Sequence, residues 1–228
     1  AEQLKDSLEF QWNRLKKTNR DAMMSLNTSH DSPRLLTSFY NTGKYKLNAK
    51  PADDKNYKTG KPDAETYQRT KLYLMHQFTS VGAPQVWNGD EMGMWGADDP
   101  DCRKPLWWPE YDFALENRNN IQPGEPIYDT VGFDSKQFMY FKKLIQLRKE
   151  NPVLFDGDFN FLKAEGKTLV YSRTNSSNEI LVLFNMGEKP GYFDLEDNAV
   201  YTDLMNGGML DGRVELPPLS GFILKKAK

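Results

Sequence analysis

The spacing of apolar residues changes once along this chain, at Asn151-Pro152, and that change limits the folds open to it. Before it, apolar residues recur every three or four positions; after it they alternate. Leu4, Leu8, Trp12 and Leu15, set among Glu, Lys, Gln and Arg, predict an amphipathic helix over 2–17 with one buried stripe, then a polar connection at 18–21. Asp63 predicts the cap of a second helix with Tyr67, the Lys71 methylenes, Leu74 and Phe78 inward, ended by Gly82 and Pro84. Residues 133–138, Phe-Asp-Ser-Lys-Gln-Phe, predict a third start, with Asp134 accepting from the Gln137 amide and Phe133 packing on Phe138. Its inward side chains are expected to be Phe138, Phe141, Leu144 and Ile145, while Arg148 and Lys149 suit the dipole at its C-terminal end. Residues 22–26 read as a buried strand and 83–87 as the next strand. Beyond Pro152, strands are expected at 159–162, 169–173, 180–185, 191–195, 199–204, 213–216 and 221–225, with Gly-, Asn- and Ser-rich turns between them, the pattern of an antiparallel sandwich. The expected class is α/β followed by all-β, divided as 1–151 and 152–228.

Composition narrows what such a chain binds. With 228 residues, 38% of them hydrophobic, it can bury a core. A net charge of -2 with mixed signs offers no basic field for nucleic acid and no cationic face for a membrane, and suits a neutral ligand. No apolar run is long enough to span a bilayer. The single cysteine, Cys102, cannot form an intrachain disulfide, so compartment stays open between periplasmic or extracellular and cytoplasmic.

Two stretches carry chemistry. Residues 27–34, Asn-Thr-Ser-His-Asp-Ser-Pro-Arg, place His30 beside Asp31 where the strand at 22–26 ends, with Pro33 suited to a helix start through Leu35, Leu36 and Phe39. A polar pair at a strand's C-terminal end is where an α/β barrel keeps its reactive groups. The plain alternative is a turn in which Asp31 caps the helix after Pro33. The second stretch, 82–109, contains Gly89-Asp90-Glu91-Met92-Gly93-Met94 and Asp99-Pro100-Asp101-Cys102-Arg103-Lys104-Pro105. Asp90 and Glu91 on an extended segment point to opposite faces and read as structural. Between the stretches, 41–61 lacks periodicity and reads as a long surface loop: a lid, a rim or simply mobile.

Together these segments resemble the α-amylase superfamily of glycoside hydrolases, within it the neopullulanase and cyclomaltodextrinase branch. Residues 29–34 resemble the signature after the seventh strand of a TIM (β/α)8 barrel, and 89–105 the region at and after the eighth. The resemblance implies the C-terminal part of such a barrel followed by an all-β domain. It implies that Asp31 is the carboxylate that stabilises the transition state, with His30 a donor to the same sugar. Asp99 and Arg103 would grip the neighbouring glucose unit; the alternative is an ordinary ion pair four residues apart. Trp87, Trp95, Trp107 and Trp108 can stack on sugars or fill the barrel mouth. Trp87-Asn88 stands where the branch commonly has two tyrosines.

The family's nucleophile lies in a Gly-x-Arg-x-Asp pattern and its general acid in a Glu-x-Trp pattern, and this sequence contains neither. A complete barrel takes about 250 residues, so the chain reads as a C-terminal fragment, inactive alone, of a retaining hydrolase of α-1,4-glucans such as starch, pullulan or cyclodextrins. Its expected partners are the substrate, the missing N-terminal part and, through open strand edges, further copies of itself. No cofactor or metal is expected here, calcium belonging to the missing portion. The other reading is a non-catalytic glycan-binding or assembly protein on a degenerate amylase fold.

Overall fold

A computed structural model describes residues 1–118 and 125–227. The chain forms two compact units, Ala1–Ser25 with Lys71–Pro84 and Lys143–Lys228, and Leu26–Thr70 with Gln85–Lys142.

In the first unit, helix α1 (Glu2–Trp12) stops short of the expected residue 17, and a separate helix α2 (Lys17–Asp21) occupies the expected connection. Leu4 and Leu15 are exposed, and the stripe shrinks to Trp12, whose ring meets Phe159 edge-on at 4.8 Å. The i,i+4 pair of Lys17 and Asp21, 2.6 Å apart, props α2, and Lys17 also donates to the Asp156 carbonyl. Strand β1 (Met24–Ser25) pairs in parallel with β2 (Ala83–Pro84). Both are shorter than expected, and β1 is not buried: Met24 is 61% exposed. Among the described residues no barrel closes, and the expected barrel strands are represented by this parallel pair.

The all-β part follows its expected pattern closely. Strands β5 (Asp158–Glu165), β6 (Thr168–Thr174), β7 (Glu179–Asn185), β8 (Gly191–Asp194), β9 (Tyr201–Asp203), β10 (Met209–Leu210), β11 (Arg213–Leu216) and β12 (Ser220–Lys226) form a six-stranded sheet, order β10-β9-β12-β7-β6-β5, and a second pair, β11-β8. Here β3 and β4 denote the short antiparallel pair Glu116–Asn117 and Tyr128–Asp129 of the other unit. Val170, Leu183, Leu181 and Leu224 from the large sheet share a core with Val214 and Leu216 from the small one. Both β6 and β7 are buried on both faces; β7 reads as a continuous apolar run rather than an alternating one, whereas β6 also buries Ser172 and Arg173. The outer face meets the end of helix α4 (Ala64–Thr79): a Cβ on Gly221 would lie 2.8 Å from Met75 Sδ, so glycine permits the close approach. Strand β10 was not expected; it follows a turn at Gly207 and Gly208, both with positive φ.

Helix α5 (Ser135–Glu150) buries Phe141, Leu144 and Leu147, while Phe138 and Ile145, expected inward, are exposed. Arg148 does more than complement the dipole. It is buried, and donates to the carbonyls of Phe78 at 2.7 Å and Gly82 at 2.7 Å. Arg173 on β6 is 0% exposed and donates to Thr79, Ser80, Leu154 and Gly157. Two guanidinium groups thus satisfy the carbonyls left by the end of α4 and by helix α6 (Val153–Asp156). Burial pulls both pKa values below the ordinary range, that of Arg148 to about 10.

His76, on α4, is an edge-on neighbour of Tyr171, with Nδ1 3.3 Å from its hydroxyl. Burial lowers its pKa to about 4 from the ordinary 6.5. The folded state therefore prefers the neutral ring, which contributes stability that is complete above pH 6.5 and lost as pH falls through about 4. Urea midpoints of the parent chain should fall across that window, and those of His76→Phe should fall less; equal slopes would remove the assignment. Arg173→Met, which strands four carbonyls, should cost about 3–5 kcal/mol in the same assay.

Candidate functional site

The second unit is built on a buried arginine. Arg34 is 1% exposed; its Nη1 donates to the Asn88 carbonyl at 3.1 Å and lies 3.4 Å from Asp90 Oδ1. The guanidinium rests 4.0 Å over the ring of Trp87. The Trp87 that replaces a tyrosine of the branch is thus a platform for Arg34. Thr28 Oγ1 donates to Asp90 at 2.6 Å, and burial raises the Asp90 pKa to about 6 against the opposing pull of Thr28 and Arg34. Gly89, at φ 100°, passes so close that a Cβ would lie 2.5 Å from Met94 Sδ and 2.7 Å from Arg34 Nη1. Glu91 turns back to accept from the Gly89 amide at 2.8 Å. Both acids therefore serve the loop's architecture, although the segment carrying them is a turn and not the extended run expected.

Around this floor Leu36, Met92, Met94, Trp95 and Trp107 form the core, Trp95 meeting Trp107 edge-on at 4.5 Å. Those two tryptophans are packing residues, while Trp108 is exposed. Helix α3 (Leu35–Tyr40) begins after Pro33 with Arg34 as its N-cap and no side-chain cap bond. Asp31 is therefore not its cap. Instead the Ser29 and Ser32 hydroxyls tie residues 29–32 into a turn, with Ser29 Oγ accepting from the Asp31 amide at 3.1 Å. The turn presents His30 and Asp31 outward, Nε2 and Oδ2 being 3.3 Å apart.

Arg103 brings the two stretches together. Its Nη2 donates to Asp31 Oδ1 at 3.2 Å, its Nε donates to the His30 carbonyl at 2.9 Å, and Asp99 Oδ1 lies 2.8 Å from that same Nε. The ion pair expected from the i,i+4 spacing is present, and Asp31 joins it across 72 residues of sequence. Cys102 is fully buried behind the cluster, its Sγ 3.3 Å from the His30 carbonyl, and burial pushes its thiol pKa up. The backbone is locked by Arg34 N to Gly96 O at 3.0 Å and by Gly96 N to Thr37 Oγ1 at 2.8 Å. The cluster thus offers two carboxylates, an imidazole and a guanidinium on a fixed frame, the donor and acceptor set that grips vicinal hydroxyls. Among the described residues no group of three or more His, Cys, Asp or Glu is placed to hold a metal ion, and no helix is long and apolar enough to cross a membrane.

The loop over 41–61 is braced. Asn41 Nδ2 donates to the carbonyls of Thr37 and Lys58, and its Oδ1 accepts from the Lys58 amide at 2.8 Å. Ala49 and Tyr57 are buried with Ala97, and the Ala49 carbonyl accepts from the Asp98 amide at 2.9 Å, next to Asp99. Asn41 was missed as a site-shaping residue, since an asparagine at the head of a polar loop gives no sequence signal of what it will clamp.

Comparisons with known proteins give the family. The cyclomaltodextrinase of Thermoanaerobacter pseudethanolicus is 34% identical over 163 residues, 69% of this chain and 24% of that protein. Neopullulanase 2 of Thermoactinomyces vulgaris is 33% identical over 165 residues, 68% and 25% of the two. The type III pullulan hydrolase from Thermococcus kodakarensis shares the fold with a TM-score of 0.65 at 23% identity, covering 92% of this chain and 30% of that one. Residues 168–226 match the family described as beta-galactosidase C-terminal domain. This chain belongs to the α-amylase superfamily and is neopullulanase-like within it. It spans about a quarter of the length of these curated relatives.

Removing the clamp should loosen the loop. Asn41→Ala is expected to cost about 1–3 kcal/mol and to open 42–57 to limited proteolysis, read by mass spectrometry of early fragments; an unchanged cleavage pattern would show that the loop holds itself.

Proposed function

We propose that His30, Asp31, Asp99 and Arg103 line the saccharide site of a retaining α-glucan hydrolase that cleaves α-1,4 bonds, in starch fragments, pullulan or cyclodextrins. The observation that carries this reading is the meeting of Asp31 and Arg103 at 3.2 Å, from segments that each resemble a signature of the family. Glycoside cleavage passes through an oxocarbenium-like transition state, which a carboxylate beside the anomeric carbon stabilises. Asp31 takes that role, and His30 donates to a hydroxyl of the same ring. Asp99 and Arg103 clamp the adjoining glucose unit on the non-reducing side. Exposed ion pairs such as Arg103 with Asp31 hold only about 0–1 kcal/mol, so a sugar hydroxyl can replace one arm of the network at small cost.

In this reading, residues 1–151 supply the seventh and eighth βα units of a barrel and 152–228 its all-β companion. The nucleophile and general acid come from outside the sequence described here, which contains neither of their patterns. The chain by itself should therefore bind but not cut. Incubated with starch or a cyclodextrin it should release no reducing sugar, whereas Arg103→Ala should weaken its binding of maltose, followed by titration calorimetry, about tenfold. In the full-length enzyme Asp31→Asn should lower turnover by about a hundredfold or more. Hydrolysis by the isolated chain, or unchanged turnover in the Asp31 variant, would refute these roles.

A further inference from the structure

Asparagine followed by glycine is a step at which a backbone is open to rearrangement, because the glycine nitrogen can close a ring on the asparagine side-chain amide with no Cβ in its way. The chain contains two such steps, Asn88-Gly89 and Asn206-Gly207. The sequence ranks them equal, and the fold treats them differently.

At the first step the peptide group itself is held between opposite charges. Its oxygen, the Asn88 carbonyl, accepts from Arg34 Nη1 at 3.1 Å, and its N–H, that of Gly89, donates to Glu91 Oε2 at 2.8 Å. Ring closure requires that N–H to lose its proton, which leaves negative charge shared by resonance between the nitrogen and the carbonyl oxygen. The buried guanidinium stabilises the charge on oxygen, and the carboxylate lies where the proton leaves. Asn88 is exposed, so water can reach the ring once formed. At the second step the Gly207 N–H donates to the Asp203 carbonyl at 2.9 Å, a neutral acceptor that does not take a proton, and Asn206 Nδ2 is tied to Asp203 Oδ2 at 2.9 Å. The exposed turn at Asn206 is thus the less activated of the two.

We propose that Asn88 is a site of spontaneous deamidation and backbone isomerisation, promoted in the folded chain by Glu91 and Arg34. Glu91 accepts the Gly89 amide proton as the bond from Gly89 N to Asn88 Cγ forms; the bond from Cγ to Nδ2 breaks, and ammonia leaves with that proton. Water then opens the cyclic imide at either carbonyl, giving aspartate or isoaspartate at position 88 with no change of oxidation state. Isoaspartate adds a backbone carbon ahead of Gly89, whose passage is so narrow that a Cβ there would lie 2.5 Å from Met94 Sδ and 2.7 Å from Arg34 Nη1. The product therefore presses on Arg34 and loosens the floor beneath it. The chemistry at Asn88 is independent of what the Asp31 and Arg103 cluster binds.

The test incubates the 228-residue chain in warm, mildly alkaline buffer and follows both steps by peptide mapping with mass spectrometry, isoaspartate being marked by enzymatic methylation from labelled S-adenosylmethionine. In the folded chain Asn88 should lose its amide about tenfold faster than Asn206. Glu91→Gln, which keeps an acceptor for the Gly89 amide but not the base, should slow position 88 about tenfold and leave Asn206 unchanged. A variant that merely loosened the turn would speed the reaction instead, so the direction of change separates the base from packing. In urea the two steps should proceed at one rate in parent and variant alike; a preference for Asn88 that survives unfolding would assign it to local sequence and overturn the role of the fold. The chain modified at 88, separated by its added negative charge, should melt below the parent, and an equal melting temperature would overturn the loosening. If Asn88 keeps its amide in the folded chain, or if Glu91→Gln leaves its rate unchanged or raises it, the proposal is overturned.

Discussion

Both units are organised by arginines that have left solvent to satisfy backbone carbonyls. Arg148 and Arg173 collect the carbonyls of Phe78, Thr79, Ser80, Gly82, Leu154 and Gly157, and Arg34 holds that of Asn88. A helix end or a turn that enters the interior exposes acceptors that water can no longer reach, and each would cost about 1–3 kcal/mol if left bare. A guanidinium offers five donors in a planar fork, so one side chain gathers several such acceptors. Lysine has three donors on one nitrogen, and so fewer to share among acceptors spread in a plane. The cost is a buried positive charge, which is why burial depresses all three pKa values. Of the three, and among the described residues, Arg34 alone has a carboxylate within 4.0 Å, that of Asp90.

The division of labour between Arg34 and Arg103 explains why the rim can be exposed and still ordered. Arg34, Asp90, Thr28 and Trp87 form an inner layer where contacts are strong because little water competes. Arg103, Asp31 and Asp99 form an outer layer, each side chain about half exposed, where the same kinds of contact are weak. The backbone between them is fixed by the inner layer and by the Ser29 turn. The outer side chains are therefore held at their Cα atoms and free at their tips, which allows them to exchange an ion pair for a hydroxyl without reordering the loop. A site assembled only from its own surface ion pairs would lose its geometry when the ligand broke them.

Much of this was legible in the sequence wherever a local rule decided the outcome. The Asp134 cap is present, with Oδ1 accepting from the Gln137 amide at 3.0 Å and Phe133 meeting Phe138 at 5.2 Å, because capping involves only residues within one turn. Asp63 likewise accepts from the Thr66 amide at 2.8 Å. The β strands were legible because their turns are marked by Gly, Asn and Ser. What the sequence did not disclose was non-local. Leu15 and Ile145 fit an apolar period but face solvent, and Arg148 breaks the period but is buried, since its partners lie 66 to 70 residues away in the chain. The motif residues were legible as a resemblance, yet nothing in the chain's periodicity announced that Arg103 would reach Asp31.

The sharpest contrast is between two apolar strands with similar composition. Residues 180–184 of β7, Ile-Leu-Val-Leu-Phe, are buried on both faces because the small sheet covers one side and the end of α4 the other. Residues 23–26, Met-Met-Ser-Leu, have the same apolar character, but Leu26 is 56% exposed, and β1 has a single neighbour, β2, among the described residues. Apolar composition states what a strand would gain from cover; it does not supply the cover. In a parallel sheet each strand needs neighbours on both edges and layers on both faces before its side chains leave water. The expectation that 22–26 is a buried strand is therefore overturned: with β2 as the one strand beside β1 among the described residues, Met24 and Leu26 keep their contact with water.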